Sequence, residues 1–192
     1  NRRDAKGAFT FSWYMFAQAL WIAGFIVGLI SEDIITKIFW DNLQWTATVI
    51  GVISLPVFVI QYTGQKLRYT KALAWLVFVV PVLFIMALTG DVFFGWIHAS
   101  PQIKPALYFS ELIYEITPIT YGYVIYSYAL IAWMLDLLIR RVVQYHSLYR
   151  IQTLLITIGV FTPVFGTIFT LFNIRFIAET NPTLFFAILG NL

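Results

Sequence analysis

The chain contains no cysteine, which excludes disulfides, thiolate metal sites and cysteine nucleophiles and leaves the redox compartment open. Charge is scarce too, since Asp, Glu, Lys and Arg make up 11% of the 192 residues, against roughly a quarter in a typical soluble domain. The net charge of +3 does not point to nucleic acid, because the basic residues form short clusters between apolar runs and do not line one polar face. Only two histidines are present, His98 and His146. No signal-peptide pattern precedes the first apolar run and the first residue is Asn1, so the chain is expected to begin inside a longer protein.

What the sequence does have is apolar surface. With 60% hydrophobic residues, 19% aromatic and a mean hydropathy of +0.82, it exceeds what one water-soluble core can hide. A bilayer-spanning helix needs about 20 mostly apolar residues, and only a helix satisfies its own backbone polar groups in lipid. Charge-bounded stretches therefore predict spans over about 7–31, 42–65, 72–90, 116–143 and 150–174, with a partial one over 180–192. The expected fold is all-α: a polytopic membrane helix bundle of five complete crossings and a truncated sixth, forming a single domain over 1–192. Pro56, Pro81 and Pro163 fall inside these runs and read as ordinary transmembrane prolines.

Orientation follows from the cations. With the amino end in the cytoplasm, the inner segments carry Arg2, Arg3, Lys6, Lys66, Arg68, Lys71, Arg140, Arg141 and Arg150, and the outer ones only Lys37, Lys104 and Arg175. Lys66, Arg68, Lys71, Arg140 and Arg141 are then cytoplasmic anchors against anionic headgroups, with Gly64 as a helix stop. Asp136 and Arg140 are spaced i, i+4 for a local ion pair. The polar residues deep in the spans, Gln18, Thr48, Ser54, Ser127, Thr157 and Thr162, suit contacts between helices.

The order "ALWIAGFIVGLISED", "IFWDNLQWTATVIGVISLPVFVIQYTGQ" and "VVPVLFIMALTGDVFFGWIH" resembles the seven-transmembrane sensor domain at the amino end of bacterial histidine kinases and diguanylate cyclases. Trp45, Pro56, Tyr62, Thr63, Gly64, Pro81, Thr89 and His98 fall on that pattern in order, and "TPVFGTIFTLFNI" resembles the family's sixth helix. Gly90-Asp91 stands where the family usually has Asn. The resemblance implies helices two to six plus the start of a seventh, a bacterial inner-membrane location, homodimerisation through the full-length protein, and a kinase or cyclase output domain outside these residues.

Within the chain no catalytic constellation is visible, so an enzyme is not expected. The histidines fall on opposite faces of the predicted bundle; an outer-face metal site of Asp91, His98 and a glutamate is conceivable, but only Glu111 and Glu115 have the i, i+4 spacing of helical ligands, so no metal is expected. No cofactor is expected either, since Lys6, Lys37, Lys66, Lys71 and Lys104 all fall in predicted loops and leave no mid-membrane Schiff base.

A ligand pocket is expected on the outer side, lined by Trp21, Gln44, Trp45, Trp96, His98, Glu111, Tyr121 and Tyr123, with segment 91–118 as a lid or short interfacial helix. Membrane lipids and a small apolar or amphipathic ligand are the expected partners. The functional expectation is a sensory input domain that relays a helix shift to a cytoplasmic output domain. A non-catalytic accessory subunit of a larger membrane complex and a small-molecule transporter are the alternatives.

Overall fold

The computed structural model describes residues 7–64, 70–105, 109–144, 151, 153–160 and 162. The chain divides into two compact units, Asn1–Ile131 and Ala132–Leu192. The first holds helices α1 (Ala8–Ile30), α2 (Ile34–Thr63) and α3 (Thr70–Phe94), strands β1 (His98–Pro105) and β2 (Ser110–Ile116), and the first half of α4 (Pro118–Gln144).

Local chemistry sets the boundaries. Helix α1 ends at Ser31, whose backbone is extended, and Asp33 opens α2 as an N-cap by accepting the Thr36 N–H at 3.0 Å. That hydrogen bond, with a second from the Thr36 hydroxyl at 3.2 Å, holds the Asp33 carboxyl below the usual carboxylate range. Gly64 closes α2 in the left-handed region at φ 63°, donating to the Ile60 carbonyl as a helix stop. Gly95 does the same for α3, at φ 60° with its N–H on Asp91 O. Helix α4 starts at Pro118, where no backbone donor is needed, and Thr117 Oγ1 accepts the Thr120 N–H.

Helices α1 and α2 run antiparallel through small residues. A Cβ on Gly24 would lie 3.0 Å from Gln44 Cγ and 3.4 Å from the Trp40 carbonyl, and one on Gly51 would lie 3.8 Å from Ala17 Cβ. Close backbone approach of this kind is what drives helix pairing in lipid, where apolar burial alone offers little. Large side chains meanwhile face outward, with Phe9, Ile30, Ile35, Trp75 and Phe93 each more than two-thirds exposed. A water-soluble fold would bury such a set; a bilayer solvates it.

Three described helices are long and apolar enough to cross a membrane, Ala8–Ile30, Ile34–Thr63 and Pro118–Arg141, and Trp75–Asp91 is a shorter apolar helix. The mostly helical membrane-type bundle agrees with the sequence reading, but five complete crossings do not emerge among the described residues. Of the expected fifth span only residues 151, 153–160 and 162 are described, all helical, and 180–192 lies outside the described residues.

Two boundaries differ from the sequence reading. Helix α2 starts eight residues earlier than the predicted span, so that Lys37 and Asp41, which mark a loop by charge alone, sit on its first turns. At 30 residues it is about 45 Å long, longer than the roughly 30 Å hydrocarbon layer. Lys37 and Lys71 are thus helical and not in loops.

The second difference is segment 91–118. No interfacial helix forms among its described residues: α3 continues to Phe94, and residues 98–105 and 110–116 pair as antiparallel strands, His98 with Ile116, Gln102 with Ile113 and Lys104 with Glu111. The ladder is irregular between Ala99 and Gln102, where Ser100 takes φ 50°, the local kink of a bulge.

The deep polar residues also behave otherwise than expected. Thr48, Ser54, Ser127, Thr157 and Thr162 each donate to a carbonyl three or four residues back in their own helix. A short hydroxyl reaches its own backbone more readily than a neighbour's. Helices are joined instead by Thr10, which donates to Gln61 Oε1, and by Tyr126, which donates to the Leu76 carbonyl.

The core of the first unit lies under the hairpin: Val49, Phe84, Ala87, Leu88, Ile97 and Tyr123, with Trp45 packed against them. Phe84 and Tyr123 stack at 3.8 Å and 9°. The second unit includes the last turns of α4, where Met134 and Leu138 are fully buried and Asp136 pairs with Arg140 at 2.8 Å as the spacing predicts.

Candidate functional site

A two-stranded hairpin is marginal by itself in water, so its attachment to the helices decides its position. His98, the first residue of β1, is the principal attachment. Its Nδ1 lies 2.5 Å from Asp91 Oδ2 on α3, and its Nε2 lies 2.8 Å from Asp41 Oδ2 on α2. The turn at Gly95 brings the chain back so that Asp91 Oδ1 accepts the backbone N–H groups of Ile97 and His98, at 2.5 and 3.1 Å. Asp91 therefore holds the loop and the ring together.

Strand β2 adds the fourth member. Tyr114 donates its hydroxyl to Asp41 Oδ2 at 3.0 Å, and its oxygen accepts the Trp45 indole N–H at 3.2 Å. The His98 and Tyr114 rings meet edge to face at 4.6 Å. His98 and Asp91 are buried. Burial alone would lower the His98 imidazole pKa, but the hydrogen bonds and charges of Asp41 and Asp91 outweigh it and hold the ring above its ordinary value. Burial, with the Asp41 charge beside it, pushes the Tyr114 phenol well up.

A second attachment lies one helical turn earlier on α2. Lys37, 2% exposed, donates from Nζ to the carbonyls of Gly28 on α1 and Ser110 on β2, both at 2.6 Å. Ser110 Oγ also donates to the Ser31 carbonyl. A buried ammonium is tolerated only where strong acceptors replace its water, and two backbone carbonyls do so here. At the open end of the hairpin, just beyond the His98–Ile116 pair, Thr117 donates to the Trp96 carbonyl at 2.5 Å.

Of the expected pocket residues, the structure brings Trp45, His98 and Tyr123 into one neighbourhood, with Trp45 against Tyr123 at 6.3 Å. The others make their contacts elsewhere. Trp21 stacks on Phe25, Gln44 packs against Gly24, Trp96 stacks on Phe94 over Gly90, Glu111 pairs across the ladder with Lys104, and Tyr121 is exposed. Of the expected anchors, Lys66 and Arg68 lie outside the described residues, Lys71 opens α3, and Arg140 and Arg141 lie on the last turns of α4.

Asp41, Asp91, Tyr114 and Lys37 are absent from the pocket expected from sequence. Asp41 and His98 are 57 residues apart, so no spacing links them. Among the described residues no group of three or more His, Asp or Glu side chains is arranged to hold a metal ion, and both ring nitrogens of His98 are taken by carboxylates.

A family described as the N-terminal 7TM region of histidine kinase matches residues 1–192. The chain belongs to that family. It is an integral membrane region of the sensor type found in histidine kinases, and nothing in its described residues arranges a catalytic group. Neither the search of curated proteins nor that of solved structures returns a match. Within this region the His98 cluster ties α2 and α3 to the hairpin through side chains and the backbone N–H groups of Ile97 and His98.

Proposed function

We propose that this region is the sensory input of a signal-transducing histidine kinase. In this reading the hairpin end lies outside the cytoplasm, where it meets a small apolar or amphipathic ligand or a change in the bilayer. The response is a shift of α2 against α3, carried through the remaining helices to a cytoplasmic output domain.

The observation that carries the reading is the position of His98, bonded to Asp41 on one helix and Asp91 on the next. Anything that favours or disfavours that bridge changes the relative free energies of two helix packings, and a signal acts only through such a difference. Transport is less well supported, because the described buried ionisable groups, Lys37, Asp91 and His98, gather at the hairpin end and not midway along the helices, where transporters place them.

Two experiments test the proposal. Single cysteines at Lys104 and Asp136, introduced into a chain that has none, should react with an impermeant maleimide in intact cells at 104 only. Purification with native lipids followed by mass spectrometry should identify a specific co-purified small molecule or lipid. Labelling at 136 and not at 104 overturns the orientation, and a stoichiometric protein partner in place of a ligand favours an accessory subunit.

A further inference from the structure

We propose that His98 is held as an imidazolium between Asp41 and Asp91, so that a single bound proton latches the hairpin and α3 to α2, and that losing it opens the Asp41 side alone. The latch goes beyond the sensory reading by naming a ligand, the proton. It rests on that reading only for its consequence in signalling.

The hydrogen-bond directions fix the proton count. The Trp45 indole can only donate, so Tyr114 Oη is its acceptor and the phenolic proton is left for Asp41 Oδ2. As a carboxylate oxygen Asp41 Oδ2 only accepts, and the ring nitrogen that shares it at 2.8 Å must then donate. On the other side Asp91 Oδ1 accepts two backbone N–H groups, and Oδ2 of the same carboxylate faces Nδ1 at 2.5 Å. A neutral imidazole carries one N–H and cannot donate on both sides. The doubly protonated ring can.

The groups facing His98 come from every element packed on it: Asp41 from α2, Asp91 from α3 and Tyr114 from β2. Lys37 is turned away to the Gly28 and Ser110 carbonyls. Within α4, Tyr123 packs on Trp45 and Phe84 and not on the imidazole. Two carboxylates around one imidazolium leave the cluster at −1, and removing the proton leaves −2 around a neutral ring.

The latch is asymmetric. Asp91 is fastened to the loop by the backbone of Ile97 and His98, so the remaining ring proton stays on Nδ1. Nε2 then turns a lone pair toward Asp41 Oδ2, and that contact changes from attractive to repulsive. Release of one proton thus breaks the link between α2 and the start of β1, while α3 stays attached there and Lys37 and Tyr114 still hold β2 to α2.

The test uses the whole chain in lipid nanodiscs with ¹⁵N-labelled histidine, carrying His146→Gln so that His98 is the one remaining imidazole. The expected spectrum has both ring nitrogens protonated at pH 7 and a midpoint above the ordinary value of about 6.5. Asp41→Asn should lower that midpoint by about one unit. Spin labels on cysteines at Phe39 on α2 and Ser100 on β1, both exposed, should give a narrow distance distribution below the midpoint and a broader one above it. In Asp41→Asn the amide can offer oxygen to an N–H or its NH₂ to a lone pair, so the distribution should stay narrow at both pH values. A neutral ring at pH 7, an Asp41→Asn midpoint that does not move, or distances indifferent to pH in the unmodified site would each overturn the latch. None of these readouts involves a kinase, so the latch can fail while the sensory reading stands, and the reverse.

Discussion

Asp91 holds His98 twice, accepting its backbone N–H at 3.1 Å and its ring Nδ1 at 2.5 Å. One carboxylate thus sets both where β1 begins and which way its first side chain points. The seven-residue separation is closed by the left-handed turn at Gly95.

Removing that carboxylate should be costly. Asp91→Ala deletes the acceptor for two backbone donors and one side of a buried ionic pair, a change worth about 3–5 kcal/mol. A lowered thermal midpoint in detergent and loss of amide-exchange protection across 98–116 are the expected results. Asp91→Asn retains one acceptor oxygen and should fall between the two.

Lys37 makes a different prediction, because its partners are carbonyls on two elements. Lys37→Met keeps most of the buried stem and leaves both carbonyls unbonded, costing roughly 3 kcal/mol. Limited proteolysis should then cut the hairpin first, with the helices surviving. Cleavage no faster than in the unmodified chain would show that the ammonium is not what ties β2 to α1.

The packing of α1 on α2 depends on Gly24. Cysteines at Ala17 and Gly51 have a Cβ separation near 3.8 Å, which suits a disulfide, and the pair should cross-link readily on oxidation. Gly24→Leu has no room beside Gln44 and the Trp40 carbonyl; overpacking of this kind costs about 1–3 kcal/mol and should sharply reduce the cross-linked yield.

Stability should depend on pH through His98. Its folded-state pKa is raised, so the cluster's contribution is complete below the unfolded value of about 6.5 and is lost as pH rises through the folded value. Melting curves of His98→Gln should lack that alkaline decline.

The helices were legible because uncharged runs of spanning length leave the backbone no other arrangement in lipid. The start of α2 was hidden for the same reason in reverse: Lys37 and Asp41 look like loop charges until α1 and the hairpin supply one carbonyl each, and the hairpin a phenol and an imidazole, for them. The strands were obscured by Pro101 and Pro105 and by the irregularity at Ser100, which break the two-residue alternation that marks a strand. His98 was identifiable as a rare polar residue near aromatics. Asp91, seven residues before it, was within local reach, but Asp41 was not, because it reaches the ring across 57 residues and no local spacing encodes a contact made only in the folded chain.

The central claim is that the His98 bridge between Asp41 and Asp91 sets the signalling state. Under the proposed function the full-length protein is a histidine kinase, and its autophosphorylation in nanodiscs, compared between the unmodified protein and His98→Gln at one pH, tests the claim most directly. The account predicts at least a severalfold change in basal activity with the folded state intact by circular dichroism. Equal activity in the two proteins would contradict it.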